Sequence, residues 1–449
     1  MLLYFLYFMI FLRSEVTERT ENNRFDANAS RVVRGAIVTS DRVAIAYTEE
    51  GTDLETDVRV YPYGELFACI TGYSDMGRTG LEQSFHRNMM TASLDPLTIL
   101  KNDFLEKRSP GNNVITSIDS DLQYHCRELL GDYTGSVTVL DPKTGEILAM
   151  VTSPSYDPNT VKENWDTLTS SDNDSGNLLN RATQGLYAPG STFKIITLME
   201  YMRENPDTYQ NFTYTCTGEV TVDGETVHCE SGAHGELDLP HALAMSCNCA
   251  FIEMGMTLDK DKLRALCEEL GFNESIISDI PASKSRFTLN EASTDFELMQ
   301  TVFGQGNTME TPLQNALITS VVANGGILYE PRLVTALENG RGETLNAYTQ
   351  SEGIRIITEE QAEYLKNCMI ACVYEGTSPE AKSEYCVVAG KSGTAQFSSS
   401  LETTHAWFTA FAPADDPEIV VTVMLEKAGH GSEAAAPVAR EIIDYYMTR

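Results

Sequence analysis

The sequence is poor in basic residues, and this limits the partners it can bind. Its 449 residues include 32 lysines and arginines against 65 aspartates and glutamates, for a formal charge of −33. Nucleic-acid phosphates are held by clusters of basic side chains, which a surface this acidic does not favour. We therefore expect no nucleic-acid partner. Hydrophobic residues make up 42% of the chain, which is enough for a large core and excludes a disordered protein.

Metal and redox motifs are also missing. No two of the ten cysteines are separated by two residues, so zinc ribbons and thioredoxin-type motifs are not expected. The seven histidines form no HExxH or His-x-His pattern. We expect no metal and no cofactor. Cys216 and Cys229 flank a hairpin-like stretch and could form a disulfide in an exported protein, whereas the other eight cysteines are interpreted as small buried hydrophobic residues.

Long hydrophobic runs are absent beyond the N-terminus, which excludes a multi-pass membrane protein. Residues 1–12 (MLLYFLYFMIFL) are apolar throughout, but a helix of this length spans only ~18 Å, short of a ~30 Å hydrocarbon core. The segment lacks the basic start and the small-residue cleavage site of a signal peptide. We interpret it as the distal part of a single membrane anchor, with a buried core helix as the alternative. The polar stretch 14–30 that follows suits an exported juxtamembrane stalk, which would place the rest of the chain on the extracytoplasmic side of the cell membrane.

Hydrophobic periodicity divides the rest of the chain near residue 110. Residues 31–106 show apolar alternation of period two, broken by glycine and aspartate, which predicts short strands and turns. The segment 107–113 (KRSPGNN) has the composition of a linker. We therefore predict a strand-rich domain over 13–110 and a second domain over 111–449.

The second domain has the pattern of helices packed on a mostly antiparallel sheet. Two strand candidates flank the turn at 141–146, and Pro189-Gly190 opens a long apolar helix. Three further strand candidates follow near the C-terminus, before a closing helix over about 433–447. The predicted fold class is α+β.

Ser191 and Lys194 stand one turn apart at the start of the long apolar helix. A serine hydroxyl is a poor nucleophile until a base takes its proton, and a desolvated lysine does so when it is neutral. The helix N-terminus adds backbone N–H groups where an oxyanion would develop. Alone, one Ser-x-x-Lys pair in a chain this long is weak evidence.

Two later motifs strengthen the interpretation. Ser246-Cys247-Asn248 and Lys391-Ser392-Gly393-Thr394 follow Ser191 in the order Ser-x-x-Lys, Ser-x-Asn, Lys-Ser/Thr-Gly. Ser246 and Asn248 can hydrogen-bond the Lys194 amine and a substrate amide. In an edge strand, Gly393 would let a substrate backbone lie close, and the lysine and hydroxyl groups of this motif would attract a carboxylate.

Similar strings also occur earlier in the chain. Ser171-Asp172-Asn173 and Ser175-Gly176-Asn177 lie in a polar loop, and Lys143-Thr144-Gly145 occupies a hairpin turn. All three precede Ser191, so order and context separate them from the catalytic candidates.

With these motifs the sequence resembles the class B penicillin-binding proteins, monofunctional D,D-transpeptidases of the FtsI/PbpA type. The resemblance is carried by RATQGLYAPGSTFKIIT, HGELDLPHALAMSCNCAF, VAGKSGTAQ and FGQGNTMETPLQNALITSVVANGG. It extends to the N-terminal region, where Arg34-Gly35, the PYG…TGY stretch and Thr79 to Glu82 are typical of the PbpA branch. The turn at Asp41-Arg42 departs from the family pattern. The resemblance covers nearly the whole chain.

The resemblance implies an N-terminal pedestal (dimerisation) domain and a transpeptidase domain of the serine β-lactamase/D,D-peptidase type. Ser191 would attack the D-Ala-D-Ala end of a peptidoglycan stem peptide, with Lys194, Ser246 and Asn248 as the catalytic partners. Lys391, Ser392, Gly393 and Thr394 would bind substrate, and the backbone N–H groups of Ser191 and Thr394 would form the oxyanion hole. β-Lactam antibiotics would acylate the same serine. A polytopic membrane glycosyltransferase of the SEDS type is the partner that the family implies.

Other functions with the same motifs stay open at this stage. A D,D-carboxypeptidase would send water to the acyl-enzyme, and a β-lactamase would hydrolyse the drug quickly. A non-catalytic β-lactam sensor or a scaffold of a cell-wall complex would keep the site without turnover. The pedestal favours transpeptidation, and no motif supplies a base for rapid deacylation.

Overall fold

The computed structural model describes residues 30–396 and 404–449. The membrane anchor predicted for residues 1–12 lies outside these residues. Within the described ranges, no helix combines the length and apolar character needed to cross a bilayer.

The N-terminal region contains short strands and short helices. Its strands are β1 (Val32–Val33), β2 (Ile37–Val38), β3 (Ala44–Glu49), β4 (Val58–Val60), β5 (Ser109–Pro110) and β6 (Asn113–Thr116). Its helices are α1 (Ala68–Thr71), α2 (Gly80–Ser84), α3 (His86–Met89) and α4 (Pro96–Phe104), with a 3-10 turn at Gly64–Phe67. The prediction of strands alone was wrong for residues 64–104. Phe67, Ile70 and Thr71 are buried there, and so short a segment fits helical spacing as well as period two.

The rest of the chain supplies the larger elements. Its strands are β7 (Gly135–Leu140), β8 (Ile147–Ser153), β9 (Thr213–Cys216), β10 (Glu219–Val222), β11 (Glu225–His228), β12 (Gly235–Asp238), β13 (Ile327–Leu328), β14 (Val334–Glu338), β15 (Thr344–Ala347), β16 (Ile354–Arg355), β17 (Ala389–Gln396), β18 (Thr404–Ala412) and β19 (Ile419–Leu425). Its helices are α5 (Ser120–Leu130), α6 (Trp165–Leu168), α7 (Lys194–Glu204), α8 (Leu239–Ala244), α9 (Asn248–Gly255), α10 (Lys260–Glu269), α11 (Asp295–Val302), α12 (Pro312–Ala323), α13 (Glu359–Tyr374) and α14 (Gly431–Thr448). Further 3-10 turns are Pro158–Thr160, Gly190–Phe193, Tyr209–Asn211 and Pro379–Ala381.

A five-stranded antiparallel sheet forms the centre of the molecule, in the order β17-β18-β19-β7-β8. Helices α5 and α14 pack on one face and α12 packs on the other. Both faces are therefore covered, and all seven residues of β19 are buried. This arrangement confirms the predicted hairpin β7–β8, the C-terminal meander and the closing helix. Among the described strands, β17 is an edge of this sheet.

A second sheet of six strands crosses the predicted domain division. Its order is β15-β14-β6-β2-β3-β4, so the N-terminal strands pair through β6 with β14 and β15 from the C-terminal part. The predicted linker at 107–113 was wrong in part, because Ser109–Pro110 forms β5 beside β1 and β6 begins at Asn113. The division at residue 110 stays a prediction from composition, and this sheet continues across it.

A buried acid, Glu82, joins three segments of the N-terminal region. Its side chain is 0% exposed, it contacts the guanidinium of Arg34, and its Oε1 accepts from Arg59 Nε at 2.7 Å. Burial alone would raise the pKa of Glu82, but Arg59 and Arg34 reverse the direction and hold it below its ordinary value. The residue stays charged and connects α2 to β4 and to the segment before β2.

Candidate active site

Ser191 lies in the 3-10 turn that leads directly into α7. Gly190, just before it, has a φ of +57°, and a Cβ there would lie 2.6 Å from the carbonyl oxygen of Thr394. Only glycine lets the turn come this close to β17. The Gly190 N–H also donates to the carbonyl of Gly304 at 2.9 Å. The turn thereby presents Ser191 beside the edge strand that carries the third motif.

Lys194 is fully buried, and its amine is surrounded by oxygen acceptors. Its Nζ donates to the Ser246 carbonyl at 2.7 Å and to Asn248 Oδ1 at 2.7 Å, and lies 3.2 Å from Ser246 Oγ. It also lies 5.5 Å from the centre of the Phe251 ring. Burial, and next the nearby charge of Lys391, lower the pKa of Lys194 to about 7.

Ser246 connects the first and third motifs. It lies between α8 and α9 with a φ of +50°, and its Oγ accepts from Lys391 Nζ at 3.1 Å while facing Lys194 on its other side. Lys391 is also fully buried, and its Nζ donates to the Ser392 carbonyl at 2.7 Å. Burial lowers the pKa of Lys391. One hydroxyl is thus shared by two buried amines.

The third motif fits closely against the nucleophile turn. A Cβ on Gly393 would lie 2.9 Å from the Pro189 carbonyl, so the strand reaches the turn only with glycine there. Ser392 Oγ accepts from Ser378 Oγ at 3.0 Å, and Thr394 is half-buried. The structure therefore gathers at one place all eight residues predicted from the sequence, namely Ser191, Lys194, Ser246, Asn248, Lys391, Ser392, Gly393 and Thr394.

The similar strings earlier in the chain lie elsewhere. Ser171 and Asp172 are exposed in the loop after α6. Lys143 lies in the β7–β8 turn, where its Nζ contacts Asp416 at 2.5 Å. Trp407 and Phe408 of β18 are 0% exposed and belong to the core, so they do not line a pocket beside the third motif.

Behind the nucleophile turn lies a carboxyl group that the sequence analysis did not single out. Glu310 is buried, and its Oε1 accepts from Asn315 Nδ2 at 2.6 Å, while the same Nδ2 donates to Thr192 Oγ1 at 2.9 Å. Burial raises the pKa of Glu310 to about 8, with the Asn315 hydrogen bond opposing the shift. A neutral carboxyl thus supports the turn next to Ser191. The signal available in the sequence was a single acid within the stretch TMETPLQNAL.

A pair of hydrogen bonds fixes the loop before the nucleophile. Tyr187 Oη and Arg181 Nε both donate to Glu426 Oε1 at 2.8 Å. Glu426 directly follows β19, so these hydrogen bonds connect the loop to the central sheet. Arg181 and Tyr187 belong to the RATQGLY stretch, to which the sequence analysis gave no individual roles.

A group of sulfur and nitrogen atoms lies directly beside the second motif. The ligand atoms of Cys216, Cys229, His234 and Cys247 all lie within 4.8 Å of one another. Cys216 and Cys229 carry free thiols with sulfurs 3.8 Å apart, so the disulfide considered from the sequence is not formed. The expectation of no metal stays a prediction, and the motif patterns on which it depended do not cover this group. Its signal was the longer spacing Cys-x12-Cys-x4-His-x12-Cys.

Comparison with known families agrees with this geometry. Residues 135–444 match the penicillin binding protein transpeptidase domain, which is more than half of the chain, and residues 34–114 match the penicillin binding protein A dimerisation domain. The chain belongs to the penicillin-binding protein transpeptidases. The resemblance stated from the motifs is thereby confirmed.

Individual penicillin-binding proteins are similar over most of their length. The peptidoglycan D,D-transpeptidase PbpA of Mycolicibacterium smegmatis is 31% identical over 437 residues, which cover 91% of this chain and 88% of the relative. The peptidoglycan D,D-transpeptidase MrdA of Haemophilus influenzae is also 31% identical, over 88% of this chain and 66% of the relative.

Among solved structures, the ceftriaxone acyl-enzyme complex of penicillin-binding protein A from M. tuberculosis superposes with a TM-score of 0.84 at 28% identity. The alignment covers 94% of this chain and 99% of that chain. The D,D-transpeptidase domain of a peptidoglycan glycosyltransferase from Eggerthella lenta gives 0.82 at 27% identity, over 93% and 99%. The predicted α+β fold, a strand-containing N-terminal domain followed by a sheet-based transpeptidase domain, is confirmed.

Proposed function

We propose that this chain is a peptidoglycan D,D-transpeptidase in which Ser191 is the nucleophile. Ser191 attacks the penultimate D-Ala carbonyl of a stem pentapeptide, the terminal D-Ala leaves, and an acyl-serine ester forms. The amine of a neighbouring stem peptide then attacks the ester, which joins two strands and frees Ser191. The observation that carries this proposal is the hydrogen bonding of two buried lysine amines to one serine hydroxyl beside the nucleophile turn.

The environment of Lys194 suits a general base. A neutral amine has two N–H groups and one lone pair. The two nearest acceptors, both at 2.7 Å, are the Ser246 carbonyl and Asn248 Oδ1, and they can take both N–H groups. The lone pair is then available for a hydroxyl proton. With a pKa of about 7, a large fraction of the amine is neutral at neutral pH.

Ser246 completes the proton path. In the proposed sequence Lys194 accepts the Ser191 proton, and the Ser246 hydroxyl donates its own proton to the departing D-Ala nitrogen. Lys194, now protonated, restores the Ser246 proton across the 3.2 Å contact. The same path run in reverse deprotonates the acceptor amine during deacylation.

The third motif supplies binding and charge stabilisation in this proposal. The backbone N–H groups of Ser191 and Thr394 hydrogen-bond the developing oxyanion. Lys391 and the hydroxyls of Ser392 and Thr394 attract the terminal carboxylate. Gly393 leaves room for the substrate backbone along the edge of β17.

β-Lactams present a reactive amide and a carboxylate in the same relative positions, so they acylate Ser191 in this proposal. The acyl-enzyme complexes known for penicillin-binding protein A from M. tuberculosis support this step. Deacylation by water is slow in the proposal, because a β-lactamase needs a dedicated base that the motifs do not supply.

The second candidate is a D,D-carboxypeptidase, in which water takes the place of the acceptor amine. The N-terminal domain favours transpeptidation, because a spacer from the membrane brings the site to neighbouring strands of the wall. A sensor or scaffold without turnover is less well supported, since the three motifs form one hydrogen-bonded site.

The proposal also includes a cellular context. Residues 1–12 anchor the chain in the cell membrane with the catalytic domain on the extracytoplasmic side, where peptidoglycan is cross-linked. A polytopic glycosyltransferase of the SEDS type supplies the glycan strands. The apolar N-terminal run and the family membership support this part.

Intact-protein mass after incubation with a penicillin tests the nucleophile. We expect one long-lived adduct per chain, absent from Ser191→Ala and retained by the matched control Ser171→Ala, which changes the exposed loop string. An adduct that persists on Ser191→Ala would refute the assignment. Rapid turnover of the drug would indicate a β-lactamase.

The reaction itself is tested with a stem pentapeptide and a labelled D-amino acid as acceptor. Incorporation of the label by wild type, and not by Ser191→Ala, is the expected result. Release of D-Ala with water as the sole acceptor would identify a carboxypeptidase instead.

A further inference from the structure

Helix α4 (Pro96–Phe104) exposes most of its large apolar residues. Leu97, Leu100 and Phe104 stand three and four positions apart, so they share one face of the helix. Their side chains are 78%, 65% and 85% exposed, the three highest values among the large hydrophobic residues that the structure describes. Leu105, directly after the helix, is 48% exposed. We call these four residues the apolar patch.

The opposite face of α4 is hydrogen-bonded to the rest of the protein. Asn102 Nδ2 donates to Ser109 Oγ at 3.1 Å. Arg341, from the turn between β14 and β15, contacts Asp95 at 3.3 Å and donates to Thr98 Oγ1 at 2.8 Å. The helix is therefore held in place while it presents the apolar patch to solvent. Single exposed apolar residues are normal on a protein surface, whereas a contiguous group of them marks an interaction site.

The apolar patch lies close to the point where the chain enters the described structure. The Ser109 N–H donates to the Arg31 carbonyl at 2.8 Å, where β1 pairs with β5. Ser109 is also the residue that Asn102 of α4 contacts. Residues 13–30 connect this point to the apolar run 1–12 and can span at most about 60 Å. A membrane that holds residues 1–12 is therefore within reach of α4.

Charge also distinguishes this part of the protein. The whole chain has 65 acidic against 32 basic residues, whereas residues 95–108 contain three of each. Lys101 and Lys107 are exposed within this segment. Anionic lipid headgroups repel an acidic surface and attract lysines. Charge therefore favours α4, over the acidic remainder of the surface, as the side that faces a membrane.

We propose that α4 lies in the headgroup region of the membrane, with the apolar patch among the lipids. The proposal rests on the anchoring of residues 1–12 that is part of the proposed function. An amphipathic helix in this region buries its apolar face about 5–10 Å deep. A single weak membrane attachment is reversible, and stable anchoring takes two. α4 supplies the second attachment and fixes the orientation of the N-terminal domain relative to the membrane.

The size of the apolar patch favours lipid over a protein partner. A helix of nine residues is about 14 Å long, so four side chains along it cover far less than the about 800 Å² per partner of a stable protein interface. A second copy of the chain would also bring two strongly acidic surfaces together. Lipid needs no complementary surface, since apolar side chains gain simply by leaving water.

A carbene reagent dissolved in the lipid tests the proposal without a variant. The full chain is reconstituted in vesicles of phosphatidylcholine and phosphatidylglycerol, irradiated with the reagent, digested and analysed by mass spectrometry. We expect label on residues 1–12 and on the peptide that contains α4. Label on residues 1–12 alone would overturn the proposal and leave the anchor standing. Label on neither would refute both, while penicillin acylation in the same sample reports the proposed nucleophile separately.

Tryptophan fluorescence measures the depth of the apolar patch. Leu100→Trp places an indole on it, and Tyr385→Trp is the matched control at a 60% exposed position just before β17. In vesicles whose acyl chains carry bromine, the emission added by Leu100→Trp should fall at least about twofold, because buried bromine quenches by contact. The emission added by Tyr385→Trp should not change. Equal quenching of the two variants would overturn the proposal.

Removing apolar side chains tests the contribution of the apolar patch to membrane attachment. In the full chain, Leu100→Ser combined with Phe104→Ser should lower the apparent affinity for the same vesicles at least about tenfold. The thermal midpoint should not fall, because both side chains are exposed. Leu345→Ser combined with Tyr385→Ser removes two exposed apolar side chains elsewhere and should keep the wild-type affinity. Equal affinities of the two double variants would contradict the proposal.

Discussion

The N-terminal region and the catalytic centre bury charged groups in opposite ways. In the N-terminal region, Glu82 is completely buried but contacts Arg34 and Arg59. In the catalytic centre, Lys194 and Lys391 are equally buried, and their amines donate hydrogen bonds to neutral oxygens. Burial disfavours charge in both places, and among the residues that the structure describes we find opposite charges at contact distance in the first place and not in the second.

The contrast separates a structural cluster around Glu82 from the proposed reactive cluster around Lys194. Opposite charges hold the pKa of Glu82 low, so that the group cannot readily exchange a proton near neutral pH. Burial, and next the charge of Lys391, bring the pKa of Lys194 to about 7, where proton exchange is easy. A fixed charge stabilises a fold, whereas a titrating group can catalyse.

The strongest test of this comparison is Lys194→Met. We expect the rate of penicillin acylation to fall about 10³-fold, because the base that activates Ser191 is lost. The thermal midpoint should not fall, since a poorly compensated buried amine has been removed. Lys143→Met, at the exposed hairpin string, is the matched control and should alter neither quantity. Acylation within tenfold of wild type would exclude Lys194 as the base.

Glu82→Gln should lower the stability of the fold and leave the rate of penicillin acylation unchanged. It leaves two buried guanidinium groups without their carboxylate, and we expect a loss of about 3–5 kcal/mol in the free energy of unfolding. Acylation of the folded protein should stay near the wild-type rate. Asp416→Asn removes an exposed ion pair and should cost less than about 1 kcal/mol. Equal losses of unfolding free energy in the two variants would contradict a structural role for the buried Glu82 ion pairs.

The pH dependence of penicillin acylation tests the lowered pKa of Lys194. In the proposed mechanism the neutral form of Lys194 is the active one, so the rate should rise with pH through about 7 and fall about tenfold per pH unit well below it. Lys391 lowers this pKa, while Cys247, Cys229 and Glu230 raise it. Lys391→Met should therefore move the midpoint of the profile upward, whatever it does to the maximal rate. A downward movement would contradict the assignment.

The smallest expected effect concerns Glu310. Its pKa is raised from 4.5 to about 8 on folding, so its contribution to stability is present below about pH 4.5 and is lost as the pH rises through about 8. Glu310→Gln keeps the shape and cannot ionise. The thermal midpoint of wild type should fall relative to this variant by a few degrees, roughly, between pH 5 and pH 8. Parallel curves would show that Glu310 is ionised in the folded protein.

Elements with strong local signals were predictable. Four strands of the central sheet are apolar runs separated by turn residues, namely β7, β8, β18 and β19. The next helix is also predictable, because Pro189-Gly190 marks its start and its residues form an apolar face. The N-terminal helices were missed, because helices of four to nine residues contain too few turns to show a period. The six-stranded sheet was missed because β6 pairs with β14, more than 200 residues later, and local patterns carry no information on such pairing.

The order and spacing of three short motifs are enough to predict the candidate catalytic residues, because they separate Ser191, Ser246 and Lys391 from the earlier strings. Tertiary packing is needed to bring Ser246 Oγ between two buried amines and Cys247 Sγ within 3.7 Å of Cys229 Sγ. Desolvation and such close contacts arise where segments distant in sequence pack together. A pKa of about 7 for Lys194 is therefore a property of packing that no local pattern shows.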